Sequence, residues 1–181
     1  MMNIKYLGLF TILIGFTACN EVELDEGLTS GTTELPALSV GDVDFSNYIS
    51  IGASFTAGFT DNALFIASQE NSFPNLLSKQ FSKANGGGFS QPLMSDNKGG
   101  LLLGGIQITN PRLYFDGAGP AGLNAVPTTE VTNVLTGGFN NLGVPGAKSF
   151  HFVAPGYGNV AGVAGGLANP YFARMASSAT T

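Results

Sequence analysis

Hydrophobic and polar positions divide the chain into blocks of different character. Residues 6–16 form an unbroken apolar run, residues 20–44 turn polar and acidic, and from Tyr48 onward short apolar runs alternate with turns rich in glycine, asparagine and serine. The segment Tyr48-Ile49-Ser50-Ile51 predicts a buried strand running into the small-residue turn Gly52-Ala53-Ser54. Further along, the pattern predicts a helix over 74–84 and a hairpin-like pair at 105–109 and 112–115, turning at Asn110-Pro111. A short strand over 141–144 follows, and then a helix with Asn169 as N-cap and Pro170 at its first position. Leu101-Leu102-Leu103 and Tyr114-Phe115 are apolar runs bounded by glycine and read as core strands. The alternative is that they line a lid or acyl-chain groove, since long loops in compact domains are often functional.

The apolar run at 6–16 is too short to span a bilayer as a mature helix and reads as a signal peptide. It precedes the sole cysteine, Cys19. Phe16-Thr17-Ala18-Cys19 resembles a bacterial lipobox, which implies that the Cys19 thiol carries a thioether lipid. The alternative is a plain secretory peptide with an incidental cysteine.

Charge sharpens the division that follows. Seven of the twelve acidic residues, Glu21, Glu23, Asp25, Glu26, Glu34, Asp42 and Asp44, fall within 20–44, where no basic residue occurs. Such a segment buries too little apolar surface to fold and is kept extended by its own charge, so it reads as a tether. The net charge of −5 therefore describes the tether more than the domain. Beyond it, Lys79, Lys83, Lys98, Arg112, Lys148 and Arg174 are scattered, which argues against a nucleic-acid partner. Charged residues make up only 10% of the chain and glycine 26 of 181 positions, the composition of a loop-rich extracytoplasmic chain. One histidine and one cysteine cannot form a structural zinc site, and the glycine-rich segments lack the spacing of a phosphate-binding loop, so neither metal nor cofactor is expected.

The candidate chemistry lies at Ser54. A side chain at the end of a buried strand in an α/β sheet faces the crevice at the carboxyl edge, where open α/β folds place their ligands. Flanking small residues permit a tight turn and close approach of a substrate. Taken bare, Gly52-Ala53-Ser54 is equally an ordinary turn.

The wider segment 48–81 is more specific. Gly52-Ala53-Ser54-Phe55, then Thr56-Ala57-Gly58-Phe59, then Gln69, Ser72, Pro74, Leu76 and Leu77 at their spacings resemble the first conserved block of the SGNH/GDSL hydrolases, in the form seen in Bacteroidetes-type lipoproteins. Ala53 stands where the family has aspartate and Phe55 where it has leucine. The stretch Asn140-Asn141-Leu142-Gly143-Val144-Pro145-Gly146-Ala147-Lys148-Ser149 resembles the family's N-x-x-x-x-G block. By that resemblance Ser54 is the nucleophile, and the N–H groups of Ser54 and Gly146 bind the oxyanion. The bland alternative for Val144-Pro145-Gly146 is a turn after a strand.

The family completes its site with a G-x-N-D block and a D-x-x-H block, and neither occurs in this sequence. His151, the only histidine, lies between aromatic residues and reads first as a packed structural residue, with a role as general base the lesser alternative. The expectation is that the sequence is the N-terminal part of a longer enzyme and is inactive by itself.

The resemblance implies a flavodoxin-like, three-layer α/β/α fold with a parallel sheet, of which only the N-terminal part is present. It divides the chain into a signal peptide over 1–18, a tether over 19–44 and a partial hydrolase domain over 45–181. It further implies a lipid-anchored serine esterase or lipase of the bacterial cell envelope, acting on an acylated lipid or glycan. The competing expectation is a non-catalytic surface lipoprotein that keeps the fold as a binding module.

Overall fold

The structure, a computed structural model, describes residues 40–181. The signal-peptide segment, Cys19 and most of the tether lie outside the described residues. The described residues are mixed α/β, with three two-stranded sheets and a few short helices among them.

The central pair is β1 (Ser50–Gly52) and β6 (Asn141–Gly143), hydrogen-bonded in parallel with Ser50 opposite Asn141 and Gly52 opposite Gly143. The strand forms where expected but is not the buried apolar strand expected: Ser50 is buried while Ile49 and Ile51 are exposed, because β1 pairs with β6 alone and Ile49 and Ile51 face solvent among the described residues. Because the strands are parallel, their carboxyl ends lie at one edge, and the chain leaves both at that edge. After β1 it turns directly into α1 (Ser54–Ala57), which packs across β1 and β6. Gly143 permits that approach: a Cβ there would lie 2.6 Å from the Ala57 Cα.

Helix α2 (Ile66–Glu70) leads into α3 (Phe73–Phe81), which ends in a 3-10 turn, Ser82–Ala84, so the expected helix over 74–84 is present in two pieces. Pro74 and Ser78 of α3 are buried, whereas Phe73, Leu76 and Leu77 are exposed. The motif residues Gln69 and Ser72 are buried for a structural reason. Gln69 Nε2 donates to the Pro92 carbonyl (3.0 Å) and its Oε1 accepts from Met94 N–H (2.7 Å), while Ser72 Oγ meets Gln91 Oε1. Together they hold an irregular segment, 90–94, against the helices. Phe45, Tyr48, Phe81 and Phe89 form an aromatic cluster beside it.

The expected hairpin turning at Asn110-Pro111 is not formed. Instead β2 (Leu101–Leu103) pairs antiparallel with β3 (Ile106–Thr109), and β4 (Leu113–Phe115) pairs with β5 (Pro120–Gly122). The physical reason lies in the turn residues. Gly104 and Gly105 both take positive φ (59° and 80°), the requirement of a two-residue hairpin, and their N–H groups donate to the two oxygens of Glu130. Asp116 caps the second hairpin by accepting from Ala118 and Gly119 N–H. Asn110-Pro111 therefore separates two hairpins, and Arg112 N–H is taken by the Lys98 carbonyl.

Leu101 is wholly buried, in line with a core strand. Tyr114 and Phe115 are exposed and are not core residues. The core gathers Ala57, Leu64, Met94, Leu101, Val131, Val144, Tyr171 and Ala173. Its closing elements are α4 (Val160–Val163) and α5 (Pro170–Ala173). Asn169 caps α5 as expected, its Oδ1 accepting from Tyr171 and Phe172 N–H.

Candidate functional site

Ser54 opens α1 two residues after β1 ends, and Gly146 follows β6 by three. Their placement at one sheet edge brings them together: Gly146 N–H donates to Ser54 Oγ at 3.3 Å. Ser54 is half-buried. Its own N–H is the first of α1 and has no acceptor within the helix, as at any helix start. Ala53 is the N-cap and supplies no side-chain bond, so the site lacks whatever an aspartate there would contribute.

Gly146 sits in a tight turn. Ala147 N–H bonds to the Val144 carbonyl (3.0 Å), Pro145 occupies the second position and Gly146 has φ of 80°. Those are the marks of a type II turn, which needs positive φ at its third residue. Asn169 Nδ2 donates to the Pro145 carbonyl at 2.8 Å and to Tyr157 Oη at 3.2 Å.

Asn141 supports the site from below. It is buried, with Nδ2 donating to the Thr56 carbonyl of α1 and to Gln91 Oε1, both at 3.0 Å, while Oδ1 accepts from Gly143 N–H (2.9 Å). One side chain thus ties α1 to the strand that leads to Gly146. Its neighbour Asn140 binds the Tyr48 carbonyl and Ser90, fixing the start of β1.

His151 makes no hydrogen bond to Ser54. It lies in a 3-10 turn, Ser149–Val153, where Nδ1 accepts from Lys148 N–H (3.1 Å) and the ring stacks on Tyr157 at 4.2 Å. Among the described residues, Ser54 Oγ has Gly146 N–H as its hydrogen-bond partner and no basic side chain bonded to it. Behind the turn, burial pushes the Tyr171 hydroxyl up to about 12, and burial brings the Arg174 guanidinium down to about 10. Both keep their usual protonation at neutral pH. Arg174 is held by the Leu93 carbonyl and the Met94 sulfur.

Among the described residues no group of three or more histidine, cysteine, aspartate or glutamate side chains could hold a metal ion. No described helix is long and apolar enough to cross a membrane. The structure brings Ser54 and Gly146 together and shows no hydrogen bond from His151 to Ser54; Cys19 lies outside the described residues. Sequence reasoning missed the reach of Asn169 to Pro145, which its helix-capping signal concealed, and the central place of Asn141, which the N-x-x-x-x-G spacing could have marked. Comparison with protein-family models, with curated proteins and with solved structures finds no match to this chain.

Proposed function

We propose that the chain carries the nucleophile and two oxyanion donors, the N–H groups of Ser54 and Gly146, of a lipid-anchored serine ester hydrolase of the SGNH/GDSL type. The observation that carries this reading is the contact between Ser54 Oγ and Gly146 N–H at the carboxyl edge of a parallel strand pair. Crevices at that edge are where open α/β sheets bind ligands. In this reading Ser54 Oγ attacks the ester carbonyl carbon and loses its proton to a base. The N–H groups of Ser54 and Gly146 bind the resulting oxyanion, the alcohol departs, and water hydrolyses the acyl-serine to free acid and serine. The resemblance assigns the base to a D-x-x-H block, which this sequence does not contain. The exposed Ile49, just before β1, and Ile51, within it, are then positions that further units of a three-layer sheet would cover. Cys19 anchors the chain to the cell envelope through its lipid, and the substrate is an acylated lipid or glycan.

A fluorophosphonate probe applied to the full-length protein tests the reading: labelling that disappears in Ser54→Ala supports it, and labelling that persists in the variant overturns it. One observation favours a second reading, a surface lipoprotein that uses the fold to bind rather than to cleave. Ser54 has no base bonded to it among the described residues, and a hydroxyl without one is a poor nucleophile. Turnover of short-chain esters that depends on Ser54 would remove that alternative.

A further inference from the structure

The Pro145–Gly146 peptide is the one whose N–H faces Ser54, and it is also the central peptide of a type II turn. Such a peptide has a competing arrangement. Rotating it by about half a turn converts type II to type I, with the third residue moving to negative φ. Glycine adopts either sign of φ with little preference, so Gly146 does not itself choose between them. Proline at the second position suits both turn types. The turn sequence therefore leaves open whether the N–H points toward Ser54 or away from it.

Asn169 makes the choice. Its Nδ2 donates to the Pro145 carbonyl (2.8 Å), the opposite end of the same peptide unit. In a planar trans peptide the carbonyl and the N–H point in opposite directions, so holding one aims the other. Asn169 is itself fixed on every side. Its N–H bonds to the Tyr157 carbonyl, its Oδ1 caps α5 through Tyr171 and Phe172 N–H, and its Nδ2 also reaches Tyr157 Oη. The side chain is buried, so water competes poorly for the Pro145 carbonyl.

We infer that Asn169 is a positioning residue, which locks the Pro145–Gly146 peptide in the orientation that presents Gly146 N–H to the Ser54 oxygen. The inference rests on the hydrolase reading for its catalytic consequence but not for its geometry. In a reacting site the same bond would hold the donor aimed at the oxyanion before substrate arrives, which is the condition under which such donors are effective.

The test uses Asn169→Ser, whose hydroxyl can still cap α5 but does not reach Pro145, with Asn169→Asp as a second variant that keeps the cap and removes the donor. The first readout is the Gly146 amide resonance. In the parent protein Ser54→Ala shifts it, because the amide loses its acceptor; in the Asn169→Ser background the same change is expected to leave it in place. An equal shift in both backgrounds overturns the inference. The second readout is the fluorophosphonate reaction, where the maximal labelling rate is expected to fall about tenfold or more with probe affinity unchanged. Loss of one oxyanion donor outright costs roughly 100- to 1000-fold, which sets the upper bound. Weaker probe affinity at an unchanged maximal rate also overturns it. Should the full-length parent protein take no label, the hydrolase reading falls and the amide measurement still decides the role of Asn169. Should Asn169→Ser fail to fold, Asn169→Asp decides by the same pair of readouts.

Discussion

Ser54 and Gly146 are 92 positions apart in sequence, and the Gly146 N–H meets the Ser54 hydroxyl at 3.3 Å. What joins them is the parallel pairing of β1 with β6, which sends both chain exits to the same edge. The contact is a product of topology, and its chemistry depends on a turn that only glycine adopts without strain.

Gly146→Ala separates space from conformation. A Cβ at this position would meet only Asn169 Nδ2, at 3.9 Å, so there is room for it, but φ of 80° disfavours an L side chain by about 1–2 kcal/mol. The turn is expected to relax toward negative φ and carry the N–H away from Ser54. Thermal unfolding should register a loss of about 1 kcal/mol, and the labelling rate at Ser54 should drop about 100-fold. A stable variant that labels at the parent rate would show that Gly146 is not a donor.

His151→Gln addresses the only histidine in the sequence. The ring accepts from the Lys148 N–H of its own turn and stacks on Tyr157, a packing role that asks nothing of Ser54. Labelling at Ser54 should stay within about twofold of the parent rate. A general base contributes at least about 100-fold, so a loss of that size would assign His151 to the reaction.

Asn141→Leu tests the polar support beneath the site. The substitution leaves the Thr56 carbonyl and Gly143 N–H without partners in a buried setting. Each such group costs about 1–3 kcal/mol, so a denaturant titration should show a loss of at least about 2 kcal/mol. Because Asn141 ties α1 to β6, labelling at Ser54 should slow even under conditions where the variant is folded. Parental stability would mean that water replaces the side chain.

Much of this architecture was legible in the sequence where a local signal decided the outcome. The strand position ending at Gly52, the α3 helix with Pro74 in its first turn and the Asn169-Pro170 cap each rest on neighbours in sequence and form where expected. The strand nonetheless buries Ser50 and leaves Ile49 and Ile51 exposed, because burial depends on what packs against a strand and not on its own residues. The hairpins were misread because two turn signals compete between 104 and 111. Gly104-Gly105 supplies the positive φ that a two-residue turn requires, and a carboxylate 25 residues away completes it, which no local window contains. For the same reason the reach of Asn169 to Pro145 was hidden: the residue has a sufficient local duty as a cap, and its second bond spans 24 positions.

That distant carboxylate gives the last prediction. Burial alone would raise the Glu130 carboxyl, but the N–H groups of Gly105, Thr132 and Gly104 outweigh it and hold the group below its ordinary value of 4.5. A carboxyl depressed in the folded state contributes stability that is present above the unfolded value and is lost as pH falls through the folded one. Glu130→Gln keeps the shape but places an amide N–H where one glycine N–H needs an acceptor. Near neutral pH its Tm should lie below that of the parent by about 2 °C, a modest drop because solvent still screens this half-buried group. The gap should close as pH falls below 4.5, since the parent then protonates and loses the same charged bonds. A gap that stays constant from neutral to acid pH would mean that the hairpin holds its turn without the carboxylate, with Gly104 and Gly105 sufficient by themselves.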